Sequence, residues 1–293
     1  MKISVVTTTC CCAETVGDCL ASVASQSYPD REHVVIDAAS RDGTLEILRG
    51  HRDQLAVLVS EPDGGIYDGL NKGIDRASGE VVGFLHADDV FADPDVLTRV
   101  ADAFSDPGVD AVYGDLVYVA REDTLRVIRY WRSGEYRRSR LRWGWAPPHP
   151  TLYLRRSLYE RFGGFDLRYG IAGDYDLMLR MLMQLSGRVV YVPEVLVRMR
   201  VGGQQPVAQA PAAKISGRLS YPSRQRGWRP RFVGLEKPVQ GAAVYCCERS
   251  KSLTGFAMTL IMCRFLVVLG GCWAVGSGCV GSAGGRGSLR SVG

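Results

Sequence analysis

The last ninety residues of this 293-residue chain contain no aspartate and only two glutamates, against twelve lysines and arginines. Residues 1–203 have the opposite balance, with 29 acidic and 24 basic side chains, so the overall charge of +5 combines an acidic body with a basic end. The positive charge lies in a segment without steady hydrophobic periodicity rather than on a patterned domain. This distribution argues against a nucleic-acid-binding protein.

The sequence also lacks the cysteine spacing of a zinc site or a disulfide framework. Cys10 to Cys12 are contiguous, as are Cys246 and Cys247, whereas zinc ligand pairs are typically separated by two residues. The total of nine cysteines is odd. The chain leads from Met1 directly into an apolar strand pattern, without the features of a signal peptide. We therefore expect free thiols and a cytoplasmic location.

One hydrophobic run stands out in the basic end. Residues 253–280 are largely apolar, but Arg264 lies near the middle and glycine is frequent in the second half. Two interpretations stay open: a transmembrane helix, and a surface or core helix followed by disorder. The abrupt change of composition after residue 203 also fits a shifted reading frame, a hypothesis that sequencing the gene from independent isolates would test.

Strand and helix patterns alternate through the first 119 residues. Apolar, β-branched segments predict strands at residues 2–9, 33–37, 55–60, 81–87 and 109–119. Helical spacing predicts helices between them at 13–26, 44–51, 66–77 and 94–104. The alternation indicates an α/β fold with a mainly parallel sheet and right-handed crossovers. Later residues predict strands at 125–131, 152–154, 189–192 and 195–199, and helices at 156–162 and 174–185.

Acidic residues follow three successive predicted strands. Asp37 ends the second strand, Asp63 follows the third, and Asp88 and Asp89 follow the fourth. Because the carboxyl ends of parallel strands meet at one sheet edge, we expect a shared ligand cleft there. Two adjacent carboxylates repel each other, and a divalent cation would remove the repulsion. The alternatives are plain turns at these positions, and a helix N-cap for Asp174.

Five segments resemble glycosyltransferase family 2, the inverting enzymes with the GT-A fold. They are residues 4–9 (SVVTTT), 36–44 (IDAASRDGT), 60–73 (SEPDGGIYDGLNKG), 84–89 (FLHADD) and 173–177 (GDYDL). The resemblance covers about residues 1–203. It implies a Rossmann-like GT-A domain there, with a nucleotide-sugar-binding half at 1–119 and an acceptor-binding half at 120–203. Residues 204–293 would form an irregular, basic tail rich in Gly and Cys.

The resemblance also implies roles for individual residues. Thr7 and Thr9 would line the base pocket, and Asp37 would accept a hydrogen bond from the base. The remaining four would act on the rest of the donor and on the acceptor: Asp63 closing the nucleotide cleft, Asp88 holding ribose or sugar hydroxyls, Asp89 ligating Mg²⁺ or Mn²⁺, and Asp174 acting as general base. Cys10 to Cys12 depart from the family, which more often has an aromatic residue or Asn in this stretch.

These roles describe sugar transfer from a nucleotide-diphosphate donor to a hydroxyl of a cell-envelope glycan or lipid-linked acceptor. A cation held by carboxylate would neutralise the diphosphate, and a carboxylate base would take the acceptor proton. We expect peripheral contact with the inner face of the cell membrane and no nucleic-acid partner. The alternatives are a non-catalytic nucleotide-sugar-binding remnant and, with less support, a nucleotidyltransferase. The latter would normally have a Gly-rich loop where this chain has Thr-Thr-Thr-Cys-Cys-Cys.

Two histidines and an aromatic group have open interpretations. His149, in a Pro-Pro-His-Pro loop, fits either a contact with diphosphate or acceptor, or an ordinary loop position. His86 is expected to pack rather than to bind a ligand. Tyr136, Trp143 and Trp145 fit either stacking on an acceptor sugar or core packing.

Overall fold

The computed structural model describes residues 1–202 and, beyond them, the backbone of two short strands, Phe232–Gly234 and Tyr245–Cys247, which pair antiparallel. The predictions of an irregular tail at 204–293 and of a hydrophobic helix at 253–280 concern residues that lie otherwise outside the described part. Within the described residues, no helix has the length and apolar character needed to cross a membrane.

The N-terminal half is a parallel sheet with helical crossovers. Its strands are β1 (Ile3–Thr9), β2 (Arg31–Asp37), β3 (Val57–Ser60) and β4 (Val81–Phe84), in the spatial order β3-β2-β1-β4. The connecting helices are α1 (Val16–Ala24), α2 (Thr44–Gly50), followed by a 3₁₀ turn at Arg52–Gln54, and α3 (Ile66–Arg76). The predicted strand–helix alternation is confirmed in this half.

The second half extends the same sheet with mixed strand directions. Its strands are β5 (Val90–Phe91), β6 (Val109–Val119), β7 (Val127–Trp131), β8 (Tyr153–Arg155) and β9 (Arg188–Arg200). Its helices are α4 (Val96–Phe104), α5 (Arg138–Leu141), α6 (Arg156–Phe162) and α7 (Gly173–Leu182), with 3₁₀ turns at His149–Thr151 and Leu167–Ala172. The order continues β4-β8-β6-β9-β5, with β7 beside β6. Strand β8 runs antiparallel to both β4 and β6, whereas β6 and β9 pair in parallel, so the second half of the sheet is mixed.

Helices cover both faces of this sheet. Side chains of α3, α6 and α7 share one hydrophobic cluster with Val6, Ile36 and Phe84. Side chains of α1 and α4 share another with residues such as Ile3 and Val5 on the opposite face. Because helices pack on both faces, residues of β1 that point to either side are buried, from Ile3 to Thr7 without interruption.

Two predicted strand boundaries are wrong for identifiable reasons. The strand predicted at 81–87 ends at Phe84, because the chain then turns and the Asp89 amide donates to the His86 carbonyl at 2.9 Å. The two strands predicted at 189–192 and 195–199 are the single strand β9. The partner of Gly114 is Val192 and that of Asp115 is Val195, so the intervening Pro193 and Glu194 form a bulge rather than a break.

Helix α3 lies unusually close to β1. A Cβ atom built on Gly73 would lie 2.3 Å from Cγ1 of Val6, and one built on Gly69 would lie 2.9 Å from Cγ2 of Thr8. Glycine at these two positions therefore allows the helix to approach the strand that leads to the cleft.

Glu32 joins three segments at the opposite end of the sheet. Its carboxylate accepts hydrogen bonds from the Ser4 and Ser78 hydroxyls at 2.6 and 2.7 Å, and it pairs with Lys2 at 2.7 Å. Burial acts to raise the pKa of Glu32, but these bonds outweigh it and lower the pKa to about 2.

We predict that Gly73→Ala will destabilise the fold by about 1–3 kcal/mol through overpacking against Val6. Gly17→Ala in α1 is the matched control, because its Cβ would meet no neighbouring segment within 4 Å. The control should be neutral or stabilising by up to about 1 kcal/mol, the helix-propensity gain of alanine. Urea unfolding of both variants measures the difference, and equal stabilities would contradict the close approach of α3.

We predict that Glu32→Gln will lower the free energy of unfolding by about 2 kcal/mol at neutral pH, through loss of charged hydrogen bonds. A carboxyl group with a lowered folded pKa stabilises fully above its unfolded pKa, here 4.5, and loses that contribution as the pH falls toward about 2. The difference between wild type and variant should therefore narrow below pH 4.5 in urea titrations. Glu80→Gln, at an exposed position, should change the free energy of unfolding by less than about 0.5 kcal/mol, both at neutral pH and below about pH 4.5.

Candidate active site

Asp37 joins the carboxyl ends of three strands. Its side chain is fully buried and accepts hydrogen bonds from the hydroxyls of Thr9 on β1 (2.8 Å) and Ser60 on β3 (2.7 Å). Ser40 supplies two more donors, its hydroxyl at 2.5 Å and its amide at 3.1 Å. Donors of this chain thus occupy both oxygens of Asp37. The predicted pair of Thr9 and Asp37 is in direct contact.

Thr7 lies on the same face of β1 as Thr9, two residues earlier in the strand, and its surroundings differ. Its hydroxyl is 2.9 Å from Nε2 of His33, and both side chains are buried. Burial lowers the pKa of His33 to about 3, so this ring is neutral. The structure therefore does not bring Thr7 to Asp37. The neighbouring Thr8 faces α3 instead, where it approaches Gly69.

Asp63 extends the acidic group across the cleft. One carboxylate oxygen accepts from the Gly65 amide at 2.9 Å, and the other lies over Gly69 of α3. Burial raises the pKa of Asp63, with a smaller contribution from the charge of Asp37. Burial likewise raises the pKa of Cys10, and Asp63 and Asp37 add to that shift. These residues share one electronegative environment, which keeps the Cys10 thiol protonated.

The Asp88–Asp89 turn is fixed by the last residue of β9. Arg200 donates from its amide to Asp89 at 3.1 Å and from its guanidinium to the Asp88 carbonyl at 2.9 Å. The same guanidinium bonds the Arg121 carbonyl at 3.0 Å and pairs with Asp18. Sequence analysis missed Arg200, because nothing in the sequence links it to a motif so far away along the chain.

Asp89 combines burial with an unpaired oxygen. Its side chain is only 1% exposed, and Oδ2 is buried without a hydrogen-bond partner among the described residues. Burial and then the charge of Asp88 raise the pKa of Asp89 well above its usual range. Asp88 is half-buried. An unpaired carboxylate oxygen beside a second carboxylate is a chemically suitable donor set for a hard divalent cation.

The described residues contain no cluster of three His, Cys, Asp or Glu side chains able to hold a metal. Mg²⁺ typically takes only one or two protein carboxylates and completes its shell with water and substrate phosphates. Asp89 with Asp88 therefore fits such an ion bound together with a diphosphate.

Asp174 lies in the first turn of α7, in the second half of the described domain. Its Oδ1 accepts from the Tyr67 hydroxyl of α3 at 3.3 Å and from the Tyr175 amide at 2.7 Å. The alternative of an N-cap is wrong, because α7 begins at Gly173 and its N-cap position is Ala172. The half-buried carboxylate of Asp174 is thus held from two elements.

Two histidine rings, His86 and His149, lie in the region between Asp174 and the Asp88–Asp89 turn. The rings of His86 and His149 lie 6.0 Å apart, and His149 stacks on Phe84 at 5.2 Å. Burial lowers the pKa of both, for His149 to about 4, while Asp174 acts in the opposite direction on each. Asp88 acts on His86 as well. His86 therefore lies within the field of carboxylates from both halves of the domain.

The aromatic stretch divides between core and surface. Trp145 packs against Tyr113 and Tyr136 with ring centroids 6.0 and 6.2 Å apart, whereas Trp143 is 63% exposed. The core-packing alternative is thus confirmed for Tyr136 and Trp145.

The structure brings the predicted residues together in two groups along one sheet edge. Thr9, Asp37 and Asp63 form the first. Asp88 and Asp174 form the second with His86, His149 and Tyr67, and Asp89 lies buried beside it. Thr7 stays outside both.

With this geometry established, comparison with known proteins identifies the family. The profile of glycosyl transferase family 2 matches residues 4–162. The chain belongs to this family.

Curated relatives include an uncharacterized glycosyltransferase of Mycobacterium tuberculosis strain H37Rv. It is 36% identical over 167 residues, covering 54% of this chain and 60% of the relative. A PGL/p-HBAD biosynthesis glycosyltransferase of Mycobacterium bovis BCG is 34% identical over 168 residues, covering 55% and 62%. The aligned region thus spans about three fifths of the length of these relatives.

Solved structures share the fold. S. aureus TarS 1–349, in complex with UDP-GlcNAc, has a TM-score of 0.57 at 21% identity, with 70% of this chain and 60% of that chain covered. The mannosyltransferase PcManGT of Pyrobaculum calidifontis, in complex with GDP-Man and Mn²⁺, has a TM-score of 0.51 at 24% identity, covering 67% and 56%. The fold is that of GT-A glycosyltransferases.

We predict that Arg200→Met will lower the free energy of unfolding by about 2–3 kcal/mol, because it removes charged hydrogen bonds to the carbonyls of Asp88 and Arg121. Arg198→Met is the matched control on the same strand, since the side chain of Arg198 makes one hydrogen bond within the described residues, to the Thr124 carbonyl at 3.3 Å. The free energy of unfolding of this control should fall by about 1 kcal/mol or less. Equal losses in chemical denaturation would show that Arg200 has no special role in holding the turn.

Proposed function

We propose that this protein is an inverting glycosyltransferase that moves a sugar from a nucleotide-diphosphate donor to an acceptor hydroxyl. The observation that carries the proposal is the series of aromatic contacts between Asp174 and the turn that contains Asp88. Tyr67 donates to Asp174 and stacks on Phe165, and His149 contacts both Phe165 and His86, two residues before Asp88. One carboxylate comes from the donor half, residues 1–119, and the other from the acceptor half, residues 120–203. Inverting transfer needs a leaving-group site and a base on opposite sides of the reacting carbon.

The first group of residues supports donor binding. Thr9, Asp37 and Asp63 border the edge where parallel strands place their ligands, and we assign the nucleotide to this region. Because the oxygens of Asp37 already hold three strand ends, its main contribution is to shape the base pocket. The complexes of TarS with UDP-GlcNAc and of PcManGT with GDP-Man support a nucleotide sugar as donor.

Asp88 and Asp89 are the residues that would hold Mg²⁺ or Mn²⁺ beside the diphosphate. When bound, the cation supplies positive charge that offsets the charge developing on the leaving group. Arg200 keeps the two carboxylates at the sheet edge, and Asp88, being more exposed than Asp89, is placed to accept hydrogen bonds from ribose or sugar hydroxyls.

Asp174 is the general base in this proposal. Its two hydrogen bonds go to Oδ1, and we assign Oδ2 to the acceptor proton. As the acceptor oxygen attacks the anomeric carbon, the bond to the diphosphate breaks and the proton passes to Asp174. Direct attack inverts the anomeric centre, so no nucleophilic side chain is needed.

We propose a cell-envelope glycan or a glycolipid as acceptor. A relative named for PGL/p-HBAD biosynthesis supports this class. A cytoplasmic location with peripheral contact at the inner face of the membrane stays a prediction.

The test is release of nucleoside diphosphate from a panel of UDP- and GDP-sugars with Mn²⁺ and with Mg²⁺. Wild type should hydrolyse one donor slowly without an acceptor, and Asp89→Ala should abolish this. Asp174→Asn should retain donor binding in calorimetry but lose transfer about a hundredfold or more, the usual contribution of a general base.

Asp75→Asn, on the exposed face of α3, is the control and should behave as wild type. Loss of donor binding in Asp174→Asn would exclude its role as base. A folded wild-type protein that hydrolyses none of the donors would favour a non-catalytic nucleotide-sugar binder.

A further inference from the structure

Three large apolar side chains lie exposed close to Asp174. The exposed fractions are 45% for Ile66, 53% for Leu167 and 62% for Ile171. Single exposed apolar residues are common on protein surfaces, but a group of them on adjoining segments indicates a binding surface.

The segments that carry these residues meet at the carboxylate. Tyr67, next to Ile66 at the start of α3, donates to the Ile171 carbonyl at 3.1 Å and to Asp174 at 3.3 Å. The Tyr67 ring also stacks on Phe165 at 5.1 Å, two residues before Leu167. The apolar group thus borders the position assigned to the acceptor hydroxyl.

The 3₁₀ turn that contains Leu167 and Ile171 is held to helix α3 by hydrogen bonds at nearby Phe165. Asn71 of α3 donates to the Phe165 carbonyl at 2.9 Å and accepts from the Phe165 amide at 2.7 Å. Phe165 itself is buried in the core. These bonds fix the backbone before the turn, and the Phe165 side chain already occupies the adjacent core. The side chains of Leu167 and Ile171 therefore remain at the surface.

Two arginines of this region are already paired with carboxylates. Arg168 bonds Asp166 at 2.5 Å, and Arg180 pairs with Asp176 at 3.0 Å. The surface beside Asp174 therefore offers apolar area, and its cations are engaged by carboxylates of the same chain. This pattern favours a hydrocarbon or aromatic ligand group over a phosphate or a second sugar.

We propose that Ile66, Leu167 and Ile171 form a subsite for an alkyl or aryl group of the acceptor. The proposal rests on the proposed function and narrows it: the hydroxyl that reacts at Asp174 belongs to a molecule with an apolar portion next to it. Binding removes both the ligand group and the three side chains from water, which provides affinity without specific polar contacts.

The test is binding of two probes that differ only in their apolar group, n-octyl β-glucoside below its micelle concentration and methyl β-glucoside, in the presence of UDP or GDP. Calorimetry or ligand-observed NMR on the full chain should show tighter binding of the octyl compound by about tenfold or more. Leu167→Ser with Ile171→Ser should remove most of this preference. Val127→Ser with Ile128→Ser, equally exposed on β7, should retain it.

Equal binding of both probes by wild type, or an unchanged preference in the Leu167→Ser, Ile171→Ser variant, would overturn the subsite. Dimers of wild type in sedimentation velocity that this variant abolishes, without a change in octyl glucoside binding, would assign the surface to a second copy of the chain instead. Donor hydrolysis needs no acceptor, is measured in parallel, and should be the same in wild type and in the Val127→Ser, Ile128→Ser control. Its absence in wild type would count against the proposed function alone.

Discussion

The repulsion between two adjacent carboxylates is the constraint around which the cleft is organised. Asp88 and Asp89 lie in the turn that follows the buried strand β4, where burial and the charge of Asp88 raise the pKa of Asp89. Arg200 holds the backbone of this turn, and one amide satisfies one oxygen of Asp89. The remaining oxygen has no partner among the described residues. The fold thus concentrates negative charge without neutralising it, as a site for a cationic or hydroxyl-bearing ligand requires.

The mixed direction of the sheet explains how distant parts of the chain reach this position. Parallel strands β1 to β4 bring Thr9, Asp37 and the turn with Asp88 and Asp89 to one edge of the sheet. The antiparallel strand β8 then follows the 3₁₀ turn that contains His149, which places this ring against Phe84 of β4. Helix α7 starts near the same edge and presents Asp174 in its first turn. The N-terminal and C-terminal halves of the described domain therefore contact each other through the His149–Phe84 stack and through the hydrogen bond from Tyr67 to Asp174.

Much of this arrangement could be predicted from the sequence because the signals are local. Strand–helix alternation and acids after strands identify the sheet edge, and the family motifs name Asp37, Asp63, Asp88 and Asp174. What could not be predicted depends on three-dimensional contact. Thr7 and Thr9 share a face of β1, but the Thr7 hydroxyl lies beside His33 and the Thr9 hydroxyl beside Asp37. The roles of Arg200, Tyr67 and His149 depend on neighbours far away in the chain, and β5 is too short to show a pattern.

Both carboxylate oxygens of Asp37 already accept hydrogen bonds from this chain, which affects how mutational data on the cleft should be interpreted. One side chain links the tips of β1 and β3 and the loop after β2, so its replacement would fray all three segments at once. A substitution there would weaken ligand affinity even if the nucleotide never touched the carboxylate. Distinguishing scaffold from contact at this position requires a structural readout, such as amide exchange at the strand tips, alongside any affinity measurement.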